Sequence, residues 1–354
     1  MNIECRISNV ECRNVGYLFV VLGLALSGCL PSSCGRVESR AISPADSLSR
    51  QIAGQITPDT LVLAWQVTGP GDQALEHPRT VRFNPDGSLM VSDVARNSVY
   101  HFRADSTFAG EMTWEGAAFP YLAGLRGDTV LVFNPEARHV DFLVRGASVR
   151  RLPTPDDLPA GALQYVTATD EAIYLKVVAK DAVGYVVRLD AQGREAARVS
   201  LPGPHWRHAG LLRSWGEALV SLSGFLPVVD LLSADLSTPP DTVALLGFDS
   251  PMLRRTFSFV RGETYEAPLL SSSAVPAADR LFVLNMRPGW LRLDVYDRAG
   301  RLQHVLVQPD PAFDKEFYPV DLAVRTTEAG RYEIAVAVVK PTPVVKLYRW
   351  TMPF

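Results

Sequence analysis

HPRTVRFNPDGSLMVSDVARNSVYHFRADSTFAGEM, residues 77–112, is the stretch that decides the fold. An apolar run leads into the turn Asn84-Pro85-Asp86-Gly87, and a second run ends in Val91-Ser92-Asp93. A polar loop carrying Asn97 follows, then the alternating run Val99-Tyr100-His101-Phe102, a short turn and a last strand. Period-two alternation between clusters of Gly, Asp, Asn and Pro is the signal of short strands joined by tight turns. Glycine stands in the hairpin turns because they require positive φ.

The same phrase recurs along the chain. Further units start at residues 119, 163, 208, 271 and 318, on strand pattern more than on identity. Most starts fall about 42 to 47 residues apart, the length of a four-stranded blade. The interval from 208 to 271 is longer, which places an insertion at 247–268. The last unit has three strands before the chain stops, while LVLAWQV at 61–67 stands alone ahead of the first unit. Pairing that strand with the last unit closes a ring and leaves no open sheet edge. The reading is an all-β, six-bladed β-propeller of four antiparallel strands per blade, spanning 59–354 and closed by an N-terminal strand.

Composition agrees with a globular domain: 47% of residues are apolar and 21% are charged. A net charge of −3 offers no electrostatic case for nucleic acid. Cys5, Cys12, Cys29 and Cys34 precede a cysteine-free remainder. The domain therefore has neither a disulfide framework nor a cysteine-based zinc site, and packing and strand pairing must hold it.

Residues 16–28, GYLFVVLGLALSG, form an apolar run shorter than the about 20 residues that a membrane-spanning helix needs. The run ends in Leu26-Ser27-Gly28-Cys29, which resembles the lipobox of bacterial lipoproteins. The resemblance implies a signal peptide at 1–28, cleavage before Cys29 and acylation of that cysteine. Glu4 and Glu11 balance Arg6 and Arg13 where the pattern has a positive excess, as a start site set too far upstream would produce. Leu30 is not the aspartate that retains lipoproteins at the inner membrane, so the expected location is the cell envelope, at the outer membrane. Several acyl chains anchor stably, at about 0.8 kcal/mol per buried methylene. Residues 29–58, rich in Ser, Pro, Ala and Gln, read as a flexible lipidated tether with a short helical turn near 44–52.

Pro78, Asn84-Pro85-Asp86-Gly87, Val91-Ser92-Asp93 and Asn97-Ser98-Val99 resemble the NHL-type repeat. The whole of 59–354 is similar to the six-bladed superfamily that holds NHL and TolB-like domains. That resemblance implies binding of proteins, sugars or RNA, with enzymes in a minority of branches.

Strand direction maps a candidate binding face. The loops that open each blade and those joining its second and third strands emerge on one side. They collect His77, Tyr121, His208 and Tyr318 from the blade starts, and Arg138, Arg287 and Trp290 from the internal loops. The insertion adds Arg254, Arg255 and Tyr265, with Phe257, Phe259 and Arg261. Aromatic and arginine side chains on loops of a rigid scaffold are what binding surfaces favour, and a plug for the channel is the competing role. Asp93 and Asn97 read as caps of their own loop. His205 and His208 lack the third ligand of a zinc site, so no metal and no cofactor is expected.

No G-x-S-x-G, H-E-x-x-H, P-loop, dinucleotide fingerprint or C-x-x-C occurs. Calcium-dependent lactonases share the six-bladed shape and use Glu, Asn and Asp on the channel axis. Asn134, Asn285 and Asp321 are the residues that a divalent-cation hydrolase of that kind would recruit. The expected function is a monomeric binding module for a protein, peptide or glycan, anchored to the membrane by lipid. The hydrolase is the alternative.

Overall fold

The computed structural model describes residues 47–71, 73–309 and 312–353. Among the described residues six sheets form six blades of four antiparallel strands, and the sheet of blade 5 carries one further, parallel strand. Blade 1 is Pro78–Phe83, Leu89–Asp93, Ser98–Phe102 and Phe108–Met112. Blade 2 runs from Tyr121–Arg126 to Ala147–Pro153, and blade 3 from Leu163–Ala168 to Glu195–Leu201. Blade 4 runs from Leu212–Trp215 to Asp241–Ala244, and blade 5 from Ser271–Ala277 to Leu302–Val307. Blade 6 takes Tyr318–Glu328, Arg331–Lys340 and Val344–Thr351, and its fourth strand is Val62–Val67.

The expected closure is thus present. Val62 pairs with Arg349 and Val67 with Val345, antiparallel, with a register shift between Leu63 and Trp65. A second clasp precedes it. Asp59–Thr60 adds in parallel to the outer strand of blade 5, opposite Leu306 and Val307. The chain then crosses to blade 6 through Leu61, which is buried between the two sheets and donates its N–H to the Val307 carbonyl at 2.8 Å.

Each neighbouring pair of blades encloses its own apolar core, because strand alternation presents one face of each sheet to the next. Met90 and Val99 meet Leu122 and Leu143 between blades 1 and 2. Leu131 and Phe133 meet Leu175 and Val187 between blades 2 and 3, and Tyr174 meets Leu212 and Leu219 between blades 3 and 4. Val220 and Val229 meet Leu281 and Val283, Phe282 meets Ile334 and Trp350, and Ala335 and Val345 meet Val81 and Val91 to complete the circuit. Gly193 and Gly300, both at positive φ in third-to-fourth strand turns, allow a close approach of neighbouring blades. A Cβ there would lie 2.4 Å from the Pro153 carbonyl oxygen and 2.2 Å from that of Ala244, each on the preceding blade.

Two segments depart from the sequence expectation. The tether does not extend to residue 58, since Ser47–Gln55 is a helix docked on the propeller. Its Ile52 is buried with Trp215, Leu245 and Leu302, and Ser49 Oγ accepts the Gly247 N–H at 3.0 Å. Two apolar side chains one turn apart, Leu48 and Ile52, are too few to announce such docking among polar neighbours. The fourth blade begins at Leu212 and not at 208, because His205–His208 forms a short 3-10 helix. The insertion holds one helix, Leu253–Val260. Cys29, the signal segment and most of the tether lie outside the described residues. Among the described residues no helix is long and apolar enough to cross a membrane.

Candidate functional site

The innermost strands line a central channel, and they carry charges where a wholly buried strand would be apolar. Asp321 of blade 6 is the hub. Its Oδ2 accepts the Val81 N–H at 3.1 Å and Arg82 Nη1 at 3.2 Å. Its Oδ1 accepts Arg213 Nη2 at 2.9 Å and Ser273 Oγ at 2.6 Å. Inner strands of blades 1, 4, 5 and 6 therefore converge on one carboxylate that is 1% exposed. Burial alone would raise its pKa, but the Arg213 and Arg82 charges and the Ser273 bond outweigh it, and the net direction is down. Burial, and then repulsion from Arg82, brings the Arg213 guanidinium down to about 10.

Above this network the channel opens as a cavity of about 330 Å³. Arg79 of blade 1, Tyr165 of blade 3 and Tyr318 of blade 6 line it, with Ser271 and Ser272 of blade 5. Leu163, Val178, Phe225, Leu269 and Val320 supply apolar wall, and Lys180 and His205 also line it. No Asp or Glu belongs to the lining. Arg79 Cζ lies 5.7 Å from the centre of the Tyr121 ring. Burial pushes the Tyr165 phenol up to about 12 and raises that of Tyr318, so both are O–H donors at neutral pH. Burial, followed by the nearby Lys180 charge, lowers the His205 pKa and keeps that imidazole neutral.

Beneath the wall, Lys176 is fully buried. Its Nζ donates to the carbonyls of Gly210 at 2.8 Å and Leu222 at 3.2 Å and stands 5.3 Å from the Tyr165 ring centre. Desolvation brings its pKa down to about 7.

Of the residues mapped from the blade starts, Tyr318 lines the cavity, Tyr121 lies against Arg79, and His77 is half-buried, its pKa lowered by burial and then by Arg79. Arg287 stacks 5.7 Å from the Trp290 ring, which meets Phe313 edge to face at 6.2 Å. Two of the mapped residues are held in structural bonds, His208 in the interior and Arg138 at the surface. His208 is buried, with Nε2 2.9 Å from the Pro202 carbonyl and Nδ1 3.4 Å from Asp230. Arg138 reaches sideways and donates to the carbonyls of Pro155 and Asp156. In the insertion, Phe257 packs on Leu226 and Val228, and Phe259 meets Trp206 edge to face at 5.0 Å. These aromatics anchor the helix beside the mouth, whose Phe225 adjoins Leu226. Arg254 and Arg255 face outward, Arg255 pairs with Glu266 at 3.3 Å, and Tyr265 is completely exposed.

Asp93 caps its loops as expected, accepting the N–H groups of Glu76, His77, Ala95 and Arg96. Asn97 Oδ1 accepts from Phe119 N–H. The three residues named for a cation do not converge. Asn134 bonds Asp141 and the Ala118 N–H, Asn285 bonds Asp294 and the Asp249 carbonyl, and Asp321 is held by two arginines. This donor set does not fit a divalent ion, because its one axial carboxylate already balances cations. Among the described residues no group of three His, Cys, Asp or Glu is placed to hold a metal.

Arg79, Tyr165, Lys180 and Ser272 were not singled out from sequence. The signal was available in part, since Arg79, Arg82, Arg213 and Asp321 are charges inside short first strands.

No protein-family model matches the chain, and no curated protein does. Solved structures do. A catalytically inactive virginiamycin B lyase from Staphylococcus aureus with quinupristin is 10% identical, over 82% of this chain and 99% of that chain, with a TM-score of 0.53. A calcium-binding protein, regucalcin, from Agrobacterium tumefaciens is 12% identical over 84% and 98%, with a TM-score of 0.51. A luciferin-regenerating enzyme is 13% identical over 78% and 91%, also at 0.51. At such identities the likeness is one of fold, and the fold is the six-bladed β-propeller.

Proposed function

We propose that this chain is an envelope lipoprotein, anchored through acylated Cys29, whose propeller is a binding module with its recognition site at the channel mouth. The observation that carries the reading is the form of the channel. Next to the Asp321 network it opens as a pocket walled by tyrosines, serines and apolar side chains. Concave, mostly apolar pockets of roughly 300–1,000 Å³ with a few convergent polar groups are the usual form of small-ligand sites. The lining does not resemble a catalytic set. Ser272 Oγ donates to the Pro319 carbonyl at 3.3 Å, and among the described residues neither lining serine is bonded to a histidine.

The ligand is a peptide or glycan group, or a protein segment, that enters the mouth beside the insertion helix. Kinship with NHL and TolB-like propellers, argued from 78–99, is consistent with this reading. The lipobox at 26–29 supports the anchor, and Leu30 supports the outer membrane. The propeller is taken to act as a monomer.

The test has two arms. Cys29→Ser should abolish incorporation of labelled palmitate and move the protein from the membrane to the soluble fraction. Peptide and oligosaccharide libraries should yield ligands that raise the thermal midpoint of the native protein. Ser272→Trp, which fills the mouth, should remove those shifts. Shifts that persist in Ser272→Trp would place binding elsewhere and end the channel-mouth reading. Hydrolysis of a lactone or ester that chelation abolishes would favour the divalent-cation enzyme over the binding module.

A further inference from the structure

Resting on the channel-mouth reading, we infer that the mouth selects a carboxylate, seated on Arg79, carried by a ligand with an apolar body. Most of the buried arginines have a carboxylate partner. Arg82 and Arg213 face Asp321, Arg207 forks onto Asp230 at 2.7 and 3.0 Å, and Arg292 meets Asp294 at 2.7 Å. Arg79 has no carboxylate partner among the described residues. Its charge is felt instead by the phenols of Tyr121, Tyr318 and Tyr165 and by His77.

A half-buried guanidinium without a counter-charge favours an anion beside it. Nothing in the lining competes for that anion, because the lining contains no Asp or Glu, while Lys180 lies on the same cavity. This bias is local, since the chain as a whole carries a net charge of −3. One guanidinium offers one planar fork, which matches a carboxylate in two parallel bonds. The protonated phenols can donate to the same oxygens. Leu163, Leu269 and Val320 leave the remainder of the cavity apolar, which suits a hydrocarbon or aromatic body.

The experiment titrates the detergent-solubilised full-length protein with benzoate and with benzamide, which share shape and differ in charge, against a micelle blank. Benzoate should bind at least tenfold more tightly than benzamide. Arg79→Gln should erase that difference without shifting the thermal midpoint by more than a few degrees. Arg79→Lys, which keeps the charge and loses the fork, should fall between them and guards against a folding defect in the glutamine variant. Added salt should weaken benzoate alone.

Equal binding of the two probes would overturn the carboxylate assignment. If Ser272→Trp then blocks both, the channel-mouth reading itself survives. Benzoate binding that is unchanged in folded Arg79→Gln, or no binding of either probe, would also overturn the assignment.

Discussion

Arg213 in blade 4 and Asp321 in blade 6, 108 residues apart in sequence, meet in the channel with Nη2 2.9 Å from Oδ1. These blades are not neighbours in the ring. The contact therefore joins parts of the propeller that strand pairing and the inter-blade cores leave independent. Asp321 also receives Arg82 and Ser273, so one carboxylate ties four blades. The cavity lies next to this network, since Val320 and Ser272, the chain neighbours of Asp321 and Ser273, line it.

Asp321→Ala leaves two arginines in a buried site without their counter-charge. Removing one partner of such a cluster costs about 3–5 kcal/mol, so the urea midpoint should fall markedly with little change in slope. The pH dependence has a definite sign. The folded-state pKa of Asp321 is depressed, so its contribution is complete above the ordinary aspartate value, near 4, and is lost as pH falls through the folded value. Wild-type stability should decline in that acid window more steeply than that of Asp321→Ala.

Lys176 predicts a slope of the same sign in a higher pH window, because its folded-state pKa is also depressed. Its pKa falls to about 7 in the fold, from 10.5 in the free side chain. Between those values the unfolded chain holds a proton that the folded chain does not, so stability rises as pH increases from about 7 towards 10. Lys176→Met should flatten that rise in thermal unfolding curves collected across the range.

Closure rests on the segment 59–67. Leu61→Ala removes a side chain that is 1% exposed between blades 5 and 6, and should cost about 2–5 kcal/mol. Deleting 47–67 should do more. It exposes the edge of Val344–Thr351 and strips the helix that carries Ile52 from blades 4 and 5. Size-exclusion chromatography should then show aggregates in place of a monomer peak.

The insertion separates packing from surface. Phe257→Ala should lower stability by about 3 kcal/mol, since its ring fills the seat formed by Leu226 and Val228. Replacing Arg254, Arg255 and Tyr265 together by alanine should change unfolding free energy by less than about 1 kcal/mol. If the insertion helps to hold a macromolecular ligand, the triple variant should still lose affinity for it, as read by surface plasmon resonance.

Residues 77–112 by themselves determined the architecture. Turn chemistry and period-two alternation are local properties, and six copies with an orphan strand at 61–67 leave the ring as the way to pair every edge. Gly193 and Gly300 were legible as turns for the same reason. What faces the channel was another matter. Arg79, Arg82 and Arg213 look alike in sequence, as arginines in short first strands, two of them in the same strand. Only the packing of six blades around one axis gave Arg82 and Arg213 an aspartate from blade 6 and left Arg79 among tyrosines from blades 2, 3 and 6. His208 and Arg138 moved in the other direction, from mapped face to structural bonds, because loop position says which end of a blade a residue occupies and not which way its side chain turns. Pairing of charges across a ring is a long-range relation between inner strands. Periodicity cannot encode it, and the tertiary structure alone decided which arginines meet Asp321 and which one lines the cavity instead.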